Sequence, residues 1–217
     1  MELILVRHGN KKKIIDYNPD LKRSDPPLTD LGKKQAEITG KFLKNNRISN
    51  IYASDTLRTK QTASIISKIL GKSVEFRKEL RELHFGLLET QGWNNFSKIA
   101  PDIYEKYCNR NEDFYYPQGE NGETAYGRLL PSIKAIIEEQ PKRALIVAHG
   151  GIIRVLLCGL LGIPFGNRFH LGNPIYNCSI TRLHYNQNLQ KFQLHLFNSV
   201  SHFQSNLISG NGPIIDI

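Results

Sequence analysis

Cysteine is scarce in this 217-residue sequence. The three present, Cys108, Cys158 and Cys178, form an odd set with no C-x-x-C pair and no ligand-like spacing, which argues against a disulfide framework and a thiolate zinc site. A reducing compartment is expected. Long apolar runs are missing as well: Leu3 to Val6 is too short for the apolar region of a secretory signal and follows Glu2. No stretch reaches the roughly 18 apolar residues that span a bilayer, so a chain outside the membrane, in the cytoplasm, is expected. Repeats and low-complexity segments are absent too. A composition of 40% hydrophobic and 23% charged residues is that of a globular protein. The length suits a single domain, residues 1–217, with a sizeable core.

Positive charge is in excess, at +9, and unevenly placed: residues 1–80 hold 17 basic against 9 acidic side chains, which leaves little for the rest. The lysines are scattered, without aromatic interleaving or a binding motif. That argues against nucleic acid; a field that draws in small anions, or simply a solvated basic surface, explains the charge.

Along the chain, LILV reads as a short buried strand, and PPLTDLGKKQAEITGKFLKNN switches to helical spacing, with Thr29 as N-cap and Ala36, Phe42 and Leu43 turned inward. The strand IYAS precedes a helix whose inward positions are Leu57, Thr62, Ile65, Ile66 and Ile69 and whose end is marked by Gly71. From His84 to Pro117 the periodicity breaks into aromatic and polar residues, the mark of an excursion that covers a site. A lid over about residues 84–125 is predicted. Helical spacing returns through Tyr126, Leu129, Leu130, Ile133, Ile136 and Ile137, followed by the strand ALIVA and the helix GGIIRVLLCGLLG. NCSITRLHYNQNLQKFQLHLFN reads as a hairpin, and a tail over 205–217 completes the chain. Strands alternating with helices, two of them apolar throughout, predict a three-layer α/β/α sandwich on a mostly parallel sheet. Ligands of such sheets sit beyond the carboxyl ends of the strands.

Two histidines emerge at such ends. Arg7-His8-Gly9 offers a nucleophile or base, a planar cation that clamps oxyanions, and a glycine that permits close approach. His149-Gly150-Gly151 opens a helix whose free amides and positive dipole end favour phosphate. Arg58, one turn into its helix, can bring a second guanidinium to the same crevice, and Glu82, after a short strand, is placed as a general acid at its mouth. Singly, each has an ordinary structural explanation as a turn, a surface charge or a helix arginine.

The ordered set resembles the histidine phosphatase superfamily, the phosphoglycerate-mutase-like proteins, over roughly residues 1–185. It is carried by LVRHGN, PPLTDLGKKQA, IYASDTLRTKQTA, LRELHFGLLE, PQGENGETAYGRLLP, LIVAHGGIIRVLLCGLLGIP and NCSITRL. The resemblance implies His8 as a nucleophile that becomes phosphohistidine, Arg7, Arg58 and His149 as the phosphate pocket, and Glu82 as proton donor. Gly9, Asn10 and Gly150 are expected to help bind substrate, and Asn177 and Ser179 to hydrogen-bond substrate or the catalytic loops. No metal or other cofactor is implied. The partner is a small phosphorylated substrate, and a homodimer is compatible with the sequence.

Mutases of this family carry an asparagine six residues after the nucleophile and a tryptophan-bearing substrate loop. Here the first position is Ile14 and the sole tryptophan is Trp93, which favours a phosphatase over a mutase. Loss of a pocket residue would instead mark a binding module without turnover; none is lost. Lys11, Lys12 and Lys13 could recognise a second anionic group of the substrate. His84, His170, His184, His195 and His202 match no catalytic position.

Overall fold

The computed structural model describes residues 1–13, 16–172 and 174–210. In chain order the strands are β1 (Glu2–Arg7), β2 (Tyr17–Asn18), β3 (Arg23–Ser24), β4 (Asn50–Ala53), β5 (Val74–Phe76), β6 (Arg143–Ala148), β7 (Ile180–Asn186) and β8 (Lys191–Ser199). The helices are α1 (Asp30–Leu43), α2 (Leu57–Leu70), α3 (Leu88–Gln91), α4 (Phe96–Ile99), α5 (Pro101–Asn109), α6 (Gly122–Glu138) and α7 (Gly150–Leu161).

Six strands form one sheet in the order β5-β4-β6-β1-β7-β8. The first four are parallel, and β7 and β8 run antiparallel as the expected hairpin. Side chains alternate across a strand. In β1, Leu3 and Leu5 therefore enter the core cluster under α6 and α7, while Ile4 and Val6 enter the one under α1 and α2. Both clusters exclude water, which is why LILV is apolar at every position rather than at every second one. Each such side chain contributes about 1.5–3 kcal/mol on burial. A mixed α/β fold with a mostly parallel central sheet between helical layers follows.

Thr29 caps α1 as expected, its hydroxyl accepting from Gly32 N at 3.1 Å, and Gly71 ends α2 in the left-handed conformation at φ 63°. Two inward assignments are corrected. Phe42 is 44% exposed and stacks on His202, and Leu57 is 37% exposed because the inner face of α2 is built from Arg58, Thr59, Thr62, Ala63 and Ile66. A polar-looking stretch faces inward there because its hydroxyls are satisfied by main-chain carbonyls, Thr59 by Ser54 O and Thr62 by Arg58 O.

The excursion after Glu82 is more regular than its sequence suggests. It winds through α3, α4 and α5, and Trp93, Phe96, Tyr107, Phe114 and Tyr116 stack on one another, with Phe85 and Phe169 at the margins. Trp93 is a packing residue of this cluster. The described part of the 205–217 tail is docked: Ser205–Leu207 makes a 3-10 turn and Leu207 is buried. Ile14 and residues 211–217 lie outside the described residues. Among those described, no helix is long and apolar enough to cross a membrane.

Candidate active site

The two histidines meet because their strands are neighbours. Arg7 pairs with Ala148 in the β1–β6 register, so the next residue of each strand is a histidine, and His8 N donates to Ala148 O at 2.9 Å. Parallel strands run about 4.8 Å apart. The rings accordingly pack edge to face with centroids 5.4 Å apart and planes at 61°.

His8 is 3% exposed and His149 is fully buried. His8 Nδ1 lies 2.8 Å from Gly9 O; a carbonyl only accepts, so Nδ1 carries the proton and Nε2 keeps its lone pair. Burial, followed by the charges of Arg58 and Arg7, holds His8 well below the usual imidazole value. His149 is held down by burial, then by Arg58 and His8. Its Nε2 is 3.0 Å from Ser54 Oγ, while its Nδ1 is buried with no hydrogen-bond partner.

Two guanidinium groups close on the same space. Arg7, 6% exposed, donates to Ile175 O, and burial brings it down to about 10 against the opposing pull of Glu82. Arg58, equally buried, donates to Ser24 O at 3.2 Å and lies 3.7 Å from Asp25 Oδ1, but its Nε has no partner. A buried polar atom left unpaired costs about 1–3 kcal/mol.

Gly9 is required by contact. A Cβ there would stand 2.5 Å from Gly32 O and 3.0 Å from Gly32 Cα, so α1 and the His8 loop touch backbone to backbone. Gly9 N donates to Thr62 Oγ1 at 3.1 Å, which ties the loop to α2 as well.

Two amides at the start of α7 serve Glu82, which is half-buried: Gly151 N donates to Oε2 at 3.2 Å and Ile152 N to Oε1 at 2.9 Å. A carboxylate and a helix N-terminus are mutually stabilising, so Glu82 is fixed beside His149 by the helix itself. Its main-chain carbonyl is gripped from behind by Arg23 at 2.8 Å and Arg128 at 3.3 Å. Gly150 faces Arg7, whose Nε lies 3.4 Å from the position of a Cβ, whereas Gly151 is the glycine that Glu82 and Leu83 demand.

Asn10 and Asn177 hydrogen-bond to the loops around His8. Asn10 Oδ1 accepts from Thr29 Oγ1 at 2.8 Å and Nδ2 donates to Ser209 Oγ at 3.3 Å. Asn177 Nδ2 donates to His8 O at 2.9 Å and Oδ1 accepts from Ser209 Oγ at 3.2 Å. Both side chains brace the His8 loop, and each amide nitrogen keeps a second N–H. Of the three lysines, Lys12 and Lys13 are exposed, while Lys11, bridged to Leu28, is lowered to about 8 by burial and by Arg58 and Arg7.

Ser54, Gln35 and Ser209 escape sequence reasoning, and Thr62 is read only as an inward position of its helix. Ser54 follows the last residue of β4, and strand ends in an α/β sheet face the site; that is the one signal available for those three. Among the described residues, no group of three or more His, Cys, Asp or Glu side chains is placed to hold a metal ion. What the arrangement can do is hold a tetrahedral oxyanion between Arg7, Arg58 and His149 with the lone pair of His8 Nε2 beside it.

Comparison with known proteins agrees with this geometry. A "Probable phosphoglycerate mutase GpmB" of Salmonella choleraesuis is 31% identical over 191 residues, 86% of each chain. The structure of a mycobacterial glucosyl-3-phosphoglycerate phosphatase in complex with VO3 is 26% identical, with a TM-score of 0.78 over 91% of this chain and 99% of that one. YhfR of Bacillus stearothermophilus is 25% identical, with a TM-score of 0.80 over 93% and 98% of the two chains. The profile of the histidine phosphatase superfamily (branch 1) matches residues 3–199, nearly the whole described chain, and the protein therefore belongs to that superfamily, whose members are phosphatases and mutases.

Proposed function

We propose that this protein is a phosphomonoester phosphatase that works through a phosphohistidine on His8, without a metal ion. The observation that carries the reading is the His8 imidazole itself, neutral, with Nδ1–H committed to Gly9 O and Nε2 free in a buried pocket of two arginines. In the first step Nε2 attacks phosphorus in line, the N–P bond forms and the P–O ester bond breaks. Arg7, Arg58 and His149 carry the charge of the equatorial oxygens. Glu82 gives a proton to the leaving alkoxide, a contribution of roughly 10²–10⁴ in rate. Water then attacks the phosphohistidine, Glu82 takes its proton, and inorganic phosphate leaves with His8 regenerated.

The single domain is then completed by the segment of residues 84–125, which walls the leaving-group side with its aromatic cluster. Lys11, half-buried near both arginines, meets a second anionic group of the substrate. Glucosyl-3-phosphoglycerate, named for the mycobacterial neighbour, has such a group in its carboxylate. The name of the Salmonella relative favours a second reading, phosphoryl transfer as a mutase, which differs in that phosphohistidine is kept from water.

Phosphate release from a panel of phosphomonoesters in EDTA, wild type beside His8→Ala and Glu82→Gln, tests the proposal. Release that survives chelation and is lost with His8 supports it. Isomerisation of a phosphomonoester with a bisphosphate primer and without net release gives the mutase, and full release by Glu82→Gln removes the assigned acid.

A further inference from the structure

The most unusual polar arrangement outside the pocket lies directly behind it, where one hydroxyl from the far end of the chain touches three side-chain amides. Ser209 Oγ accepts from Gln35 Nε2 at 2.9 Å and from Asn10 Nδ2 at 3.3 Å, and donates to Asn177 Oδ1 at 3.2 Å. A hydroxyl has two acceptor sites and one proton, so all three are in use. Each amide holds the His8 loop by its other end or from within it. Gln35 Oε1 accepts from Asn10 N at 2.8 Å, Asn177 Nδ2 donates to His8 O at 2.9 Å, and Asn10 is itself the second residue after His8.

We propose that Ser209 is a positioning residue: its hydroxyl sets the orientation of Gln35, Asn10 and Asn177 and so fixes the main chain that aims His8 Nε2. Reversal of Gln35 would set donor against donor at Asn10 N, and reversal of Asn177 would set acceptor against acceptor at His8 O. Gln35 shows the constraint best. It is fully buried, and its amide group donates both to Ser209 Oγ and to Leu207 O, at 2.7 Å, which leaves only Oε1 for Asn10 N. The segment is also held by its own backbone, since Asn177 N donates to Ser209 O at 2.7 Å, and the hydroxyl is therefore presented from a fixed place. Ser209 touches no pocket side chain among its hydrogen-bond partners and acts only through the loop.

The claim rests on His8 as the nucleophile of the proposed function, and its test separates the two. Ser209→Thr and Ser209→Val have nearly the same shape and differ in the hydroxyl. The expected result is wild-type turnover for Ser209→Thr and a loss of about tenfold in kcat at unchanged KM for Ser209→Val, less than the ~100-fold that a 1 Å displacement of a reacting group can cost. Amide hydrogen exchange, measured on the same three proteins, should show Asn10 N faster in Ser209→Val alone, with β6 as protected as before. Equal kcat in the two variants, or a lower kcat without faster exchange at Asn10, overturns the positioning role. A wild type that releases no phosphate defeats the phosphatase reading instead, and exchange at Asn10 then decides the Ser209 claim without it. If Ser209→Val loses the protection of β6, Ser209→Ala replaces it in the same comparison.

Discussion

Gly9→Ala should lower both stability and turnover, by amounts set by the packing between α1 and the His8 loop. The added Cβ would stand 2.5 Å from Gly32 O, where ordinary contact begins near 3.4 Å, so the two backbones must part by about 0.9 Å. No rotamer relieves this, because both neighbours are main chain. Three hydrogen bonds resist the separation: Gly9 N to Thr62 Oγ1, Asn10 N to Gln35 Oε1 and Thr29 N to Asn10 O. Overpacking of this kind costs about 1–3 kcal/mol. For a chain of this length each kcal/mol lowers the melting temperature by about 2–4 °C, so a fall of roughly 2–12 °C is expected. Displacement of His8 by nearly 1 Å should reduce kcat for phosphate release by about 100-fold. Calorimetry and steady-state kinetics measure the two effects. Gly127→Ala supplies the contrast, since its Cβ meets nothing within 4 Å in α6, and should stabilise by about 0.8–1 kcal/mol. Gly9→Ala with a wild-type melting temperature and wild-type turnover would refute the close-contact argument.

Acid should destabilise the protein below about pH 6.5. His8 and His149 have folded values far below the usual 6.5, so between the two values the unfolded chain binds more protons, and stability rises with pH up to the unfolded value. Each imidazole contributes a slope of about 1.4 kcal/mol per pH unit in that window. Denaturant midpoints between pH 5 and 7 measure the slope, and His149→Asn should flatten it. Phe96→Ala removes a ring that is 1% exposed and packs on Trp93, Tyr104, Tyr107 and Tyr116. It should cost about 3–5 kcal/mol, and an urea midpoint equal to wild type would show that the cluster is not a core. Lys11→Ala should raise KM for esters bearing a second anionic group and leave KM for simple aryl phosphates alone; equal effects on both would remove Lys11 from substrate recognition. Ser54→Ala should weaken binding of inorganic phosphate, measured by calorimetry, because His149 loses the partner that orients its ring.

The elements that sequence reasoning finds are those with strong local signals. LILV and ALIVA are legible because burial on both faces removes alternation, and Thr29 and Gly71 because capping chemistry is local. His8, His149, Arg7 and Arg58 are legible because they stand where strands end or one turn into a helix. Phe42 misleads because periodicity gives a stripe but not its edges, and His202, 160 residues away, supplies its neighbour. The helices after Glu82 are hidden because two of them, α3 and α4, have only four residues each, too short for periodicity, and are held by aromatic stacking. The contacts of Asn10 and Asn177 with Ser209 are not legible, because Ser209 lies far off in sequence. Glu82 on the start of α7 is invisible for the same reason: nothing in LRELHFG states which helix it will cap.

The position of β1 has a kinetic consequence. Its two neighbours, β6 and β7, come about 140 and 180 residues later in the chain. At roughly 5–20 residues per second, a ribosome needs on the order of ten seconds between making β1 and making its first partner. Until then the segment around His8 has no strand on either side, and the loop it must close is long and entropically expensive. The surroundings that His8 shares with His149 therefore assemble late, and a nascent chain that still lacks β6 leaves His8 outside any pocket.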